Sequence, residues 1–146
     1  MSQTNELEIM ERIALDLEGV EESLASSFNT GAEDFNALIR PLSAAGGKRL
    51  RAQLCLLIAN AGTSVERQRI RIAEAVEMLH LATLIHDDVL DQAEIRRGEE
   101  TIHMHKGNKV AILSGDYLFA KAFQIVSEMP NMKYLQIFSR IITCLV

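Results

Sequence analysis

Three aspartates, two histidines and two adjacent arginines fall within residues 80–98, HLATLIHDDVLDQAEIRRG. Asp87 and Asp91 are four apart, so on a helix their carboxylates share a face about 5–6 Å apart, with Asp88 flanking them. Like charges this close repel, so a helix gains nothing of its own by gathering them. All-oxygen donors with positions left open for substrate suit Mg²⁺ held jointly with a phosphorylated ligand. A solvated acidic helix end is the plain alternative for a bare DDxxD pattern.

Cations stand on both sides of this cluster in the sequence. Arg96 and Arg97 precede Gly98, and guanidinium forks bind phosphate oxygens bidentately. Upstream, Gly46-Gly47-Lys48-Arg49-Leu50-Arg51 places two glycines before a basic helix start, where backbone N–H groups can approach an anion. Lys48 and Arg51 share a face and Arg49 points elsewhere. The spacing is not that of a Walker loop. His80 lies two helical turns before Asp87 on the same face, which suits either a satisfied helix histidine or a hydrogen-bond donor to phosphate. His86 is rotated about 100° from Asp87, which suits packing or support of the aspartates from behind. His103 and His105 show no metal-ligand pattern. Ala82 and Thr83, about one turn below the carboxylates, are small enough for a long apolar tail to pass. Simple close packing between helices explains them equally well.

These residues need long helices to position them, and the chain supplies the pattern. Apolar residues at three- and four-residue steps predict helices over about 6–27, 33–42, 48–61, 64–91 and 109–127, with a last one from 132 onward. Ser64 is suited to cap the fourth. The polar tract 92–108, which has no apolar period, reads as a loop. The fold class is therefore all-α. A length of 146 residues favours one domain. Two prolines in the whole chain leave the helices uninterrupted.

A net charge of −5 argues against nucleic acid as the main partner. Cys55 and Cys144 have no CxxC spacing and read as free buried thiols in a reducing compartment. The acidic N-terminus has no signal-type apolar region. The best apolar run, residues 54–61, is too short for a membrane span. A cytoplasmic protein without a stable membrane anchor is expected. The final stretch, IFSRIITCLV, stops in mid-pattern, so the chain reads as cut there or as completed by a partner.

In this order and spacing, GGKRLR at 46–51, the 80–98 stretch and GNKVAILSGDYLFAKAF at 107–123 resemble the trans-isoprenyl (polyprenyl) diphosphate synthases. The resemblance covers almost the whole chain. It implies that Asp87, Asp88 and Asp91 form the first aspartate-rich motif, with Asp87 and Asp91 binding Mg²⁺ and the allylic diphosphate. Arg96 resembles the arginine that contacts that diphosphate. Lys48, Arg51, His80 and Arg97 resemble the residues that hold isopentenyl diphosphate. Ala82 and Thr83 match the positions where bulky residues limit product length, which implies a long-chain product.

The implied fold is an isoprenoid synthase-type helical bundle around a central cavity. Residues 1–146 would supply the N-terminal half of one such domain, usually homodimeric. The family's second aspartate-rich motif and its later lysines are missing here, and Ala52 stands where the family commonly has proline. The isolated chain is therefore expected to be inactive. A short subunit completed by a partner bearing the second motif, or a non-catalytic diphosphate-binding module, are the alternatives.

Overall fold

The computed structural model describes residues 3–30, 33–44, 47–62 and 65–145. It is helical with one small hairpin: α1 (Gln3–Ser27), α2 (Glu33–Ala44), α3 (Leu50–Asn60), α4 (Glu66–Leu90), β1 (Ile95–Arg96), β2 (Glu99–Glu100), α5 (Ile102–Lys106), α6 (Asn108–Ser127) and α7 (Met132–Leu145). The helices follow the predicted apolar stripes within a few residues. Ser64, the expected cap of α4, lies outside the described residues, and Val65 holds the cap position without a side-chain bond.

The central element is α4, which packs against α1, α3 and α6. Its sequence suits that place, because Ala73, Ala75, Met78, Leu79, Leu81, Ala82 and Ile85 are buried around much of its circumference. Two buried polar ties fix α1 to it. Arg69 grips Asp16 with both forks, Nε to Oδ2 at 3.0 Å and Nη2 to Oδ1 at 3.2 Å. Asn60 of α3 donates to the same Asp16 oxygen at 3.0 Å. Glu74, fully buried, accepts from the hydroxyls of Ser23 and Ser27 and pairs with Arg71. Buried charges are tolerated only when paired and hydrogen-bonded in this way.

Beside α4 lies α6, with Ala111, Ser114, Gly115, Leu118 and Ala122 on its buried face. By length and composition α6 could cross a membrane, contrary to the expectation that no segment is apolar for long enough. In this fold its buried face is set against α4, α5 and α7, while Ile112 and Leu113 stay exposed. At Gly115 an added Cβ would collide with the His86 imidazole. Gly115→Ala is therefore expected to cost about 1–3 kcal/mol through overpacking, read as a shift in the urea midpoint.

The tract 92–108 is not the loop the sequence predicted. Helix α4 ends in a Schellman arrangement: the Gln92 N–H donates to Val89 C=O and the Ala93 N–H to Asp88 C=O, with Gln92 at φ 52°. The chain then turns back through a two-residue hairpin in which Arg97 (φ 55°) and Gly98 (φ 87°) are both left-handed, as a type I′ turn requires. Ile95 faces Glu100 and Arg96 faces Glu99. Thr101 ties the hairpin base, donating its hydroxyl to Ala93 C=O at 2.7 Å and its N–H to Glu94 C=O at 3.0 Å. The cysteines also depart from expectation. Cys55 is partly buried, which raises its thiol pKa by desolvation, but Cys144 is exposed.

Candidate active site

The three aspartates at the C-terminal end of α4 divide into two kinds. Asp88 is buried and carries an ion pair with Arg96, Nε to Oδ1 at 2.6 Å. Asp87 and Asp91 are exposed, and neither side chain is bonded among the described residues. They remain one helical turn apart, since the Asp91 N–H still donates to Asp87 C=O. Their position is electrostatically costly, because the negative end of the helix dipole disfavours carboxylates there. An uncompensated local conflict of this kind is what a bound cation relieves. The donor chemistry, two open carboxylates, fits a hard divalent ion that keeps further positions for other oxygens. They do not form a cage: among the described residues no group of three His, Cys, Asp or Glu side chains is placed to hold a metal.

A cationic corner is built from two turns far apart in sequence. One is the entry to α3, where Arg49 sits left-handed at φ 45° as the N-cap. The other is the hairpin tip. The Arg97 guanidinium lies over Gly47, where an added Cβ would stand 3.4 Å from Nη2 and 3.5 Å from Nη1. Lys48 and Arg51 are exposed at the start of α3, and Arg49 turns away from them to pair with Glu21 and Glu77.

His80, partly buried on α4, lies within electrostatic reach of both turns. Its pKa is lowered from 6.5, first by burial and then by Arg51, with Arg97 and Arg96 adding and Glu77 opposing. Three of the sequence-predicted cations, Arg51, Arg96 and Arg97, and this histidine are therefore electrostatic neighbours. The folded state resists protonating His80 more than the unfolded chain does. Stability contributed this way is complete above about pH 6.5 and is lost as pH falls through the lower folded value. His80→Gln should flatten the acid side of the stability profile, measured by urea unfolding between about pH 5 and 7.5.

An apolar cavity of about 580 Å³ opens between α2, α4 and the hairpin–α5 segment. Leu38, Leu42, Leu81, Leu84, Ile85 and Ile102 line it, with Asp88, Arg96 and Arg97 at its edge. Neither Ala82 nor Thr83 lines it. Ala82 is fully buried, and the Thr83 hydroxyl donates to His80 C=O on its own helix at 2.8 Å. His86 takes the packing role expected of it, its ring against Phe119 and its Nε2 3.1 Å from Ile112 C=O. Two acids that belong to no sequence motif, Glu21 and Glu77, hold the α3 entry. Their only signal was periodicity: Glu77 falls three residues before His80, on a stretch of helix otherwise apolar.

The pattern of the polyprenyl synthetase family matches residues 32–146. The octaprenyl diphosphate synthase of Escherichia coli (strain K12) is 34% identical over 131 residues, covering 90% of this chain and 41% of that protein. Solanesyl diphosphate synthase 1, chloroplastic, of Arabidopsis thaliana is 34% identical over 140 residues, covering 92% of this chain and 34% of that one. A polyprenyl synthase from Caulobacter crescentus CB15, crystallised with calcium and isoprenyl diphosphate, superposes with a TM-score of 0.83 at 37% identity, over 89% of this chain and 41% of that one. The chain thus spans well under half the length of these relatives. With its helical fold, its paired open carboxylates and its converging cations, this chain belongs to the polyprenyl synthetase family.

Proposed function

We propose that this chain contributes the diphosphate-handling half of a trans-prenyltransferase site, which joins isopentenyl diphosphate to an allylic diphosphate. The observation that carries this reading is the convergence of the α3 entry and the hairpin tip on His80, beside two open carboxylates at the end of α4. Lys48, Arg51 and Arg97 would bind one diphosphate, with neutral His80 donating a hydrogen bond. Arg96, oriented by Asp88, would face the other. Asp87 and Asp91 would hold Mg²⁺, whose charge stabilises a departing diphosphate. The allylic C–O bond breaks, the isopentenyl double bond attacks the cation, and a proton leaves. Apolar surroundings keep water from the cation.

Long products are favoured by the relatives, which include octaprenyl and solanesyl diphosphate synthases. Ala82 and Thr83 lend that reading no support of their own, since neither borders the cavity.

The test is a chimera in which this chain replaces the matching part of the Escherichia coli octaprenyl diphosphate synthase. Labelled isopentenyl diphosphate should be incorporated into polyprenyl product in the presence of Mg²⁺ and an allylic primer. The chain alone should give none. A folded chimera that binds both substrates and makes no product would refute the enzyme reading.

A further inference from the structure

The entry to α3 is held in a strained form by groups that lie on other helices. Arg49, a non-glycine residue, is left-handed, and its side chain makes no capping bond to the first-turn N–H groups. Buried Glu77 of α4 supplies what is missing. Its Oε1 accepts the Ala52 N–H at 3.0 Å, the N3 donor of α3. Its Oε2 stands 3.5 Å from Arg49 Nη1. From the other side Glu21 of α1 takes Arg49 through Nε at 2.6 Å and Nη2 at 3.1 Å. Gln53 Nε2 closes the turn on Lys48 C=O. Lys48 directly precedes Arg49 and Arg51 follows it after Leu50, so their backbone directions follow from its left-handed turn. His80 sits three residues beyond Glu77 on α4, on the same face.

We propose that Glu77 is a positioning residue for diphosphate binding. Through Arg49 and the Ala52 N–H it sets the turn that aims Lys48 and Arg51 beside His80, while touching no ligand itself. Glu21 is its exposed counterpart on α1. The inference rests on the diphosphate site described above and adds the device that holds its cations in register. Over-determination by three helices is what a strained turn needs to persist.

The test is calorimetric binding of inorganic pyrophosphate with Mg²⁺ to the whole chain, comparing parent, Arg51→Ala, Glu77→Gln and Glu21→Gln. Glutamine at 77 keeps an acceptor for the Ala52 N–H and loses the charge that pairs with Arg49. Glu77→Gln should weaken pyrophosphate binding about tenfold, and Glu21→Gln by a smaller factor, with helical content unchanged. Proton titration of His80 followed by NMR gives a second readout. Among the groups acting on it, Arg51, Arg96 and Arg97 disfavour the proton and Glu77 favours it, so Glu77→Gln should move the midpoint lower. Parent-like binding by Glu77→Gln, with Arg51→Ala weakened, would overturn the positioning role and leave the site standing. Parent-like binding by Arg51→Ala would overturn the site and this inference with it. If Glu77→Gln does not fold, Glu21→Gln decides alone, and unchanged affinity there rejects the proposal.

Discussion

Asp87→Ala in the chimera is expected to lower turnover by about 10²–10³-fold, equivalent to about 3–4 kcal/mol of transition-state stabilisation. The metal-free protein should become slightly more stable at the same time. The two effects share one cause. Asp87 and Asp91 face solvent at the negative end of α4 with no partner among the described residues. Removing either charge relieves repulsion and an adverse dipole, worth about 0.3–1 kcal/mol. Removing it also takes away half of the metal-binding pair. Asp91→Ala should behave alike. Asp88→Ala should not, because it strands Arg96 beside a cavity and should destabilise the protein. Steady-state rates and thermal melts on the same three variants separate the two classes. Turnover within about tenfold of the parent for Asp87→Ala would remove Asp87 from the metal site.

The second large effect concerns stability alone. Arg69→Ala is expected to cost about 3–5 kcal/mol, because it leaves the Asp16 carboxylate buried without its bidentate partner. That is a large share of the few kcal/mol per domain by which folds persist. Replacing both members, Asp16→Leu with Arg69→Met, should recover most of the loss, since two apolar groups bury no charge. Urea unfolding of the three variants measures the coupling. A double variant no more stable than Arg69→Ala would mean that Asn60, which shares the Asp16 oxygen, carries the requirement instead.

How legible this was depended on periodicity. The helices could be read because Ile13, Val20 and Leu24 on α1, or Ala111, Leu118 and Ala122 on α6, repeat at helical steps. The hairpin could not. Its turn is Arg97-Gly98 rather than Asn-Gly, and Ile95, Arg96, Glu99 and Glu100 show no apolar alternation. The end of α4 was legible to within a residue, but the turn that makes it was not, since Gln92 rather than glycine takes the left-handed position. For the site, residue type and spacing brought out the aspartates and the cations. What sequence could not give is how they divide. Burial sends Asp88 to Arg96 and leaves Asp87 and Asp91 open, and that depends on a chain reversal no local pattern announced. Glu77 stayed invisible because its partners lie 25 and 28 residues upstream, across two helices.

The spans of these ties also order the protein in time. The Asp88–Arg96 pair closes a loop of 8 residues, His86 meets Ile112 across 26, and Asp16 meets Arg69 across 53. Loop-closure entropy makes the last contact costlier than the first by roughly 1.5–2 kcal/mol before any packing repays it. On loop closure alone, the hairpin corner of the site is expected to assemble among the earliest structure and α1 to dock after α4 and α6 have paired. Pulse-labelled hydrogen exchange should protect the amides of α4 and α6 before those of α1. Variants at Asp16 should then speed unfolding and leave the refolding rate nearly untouched.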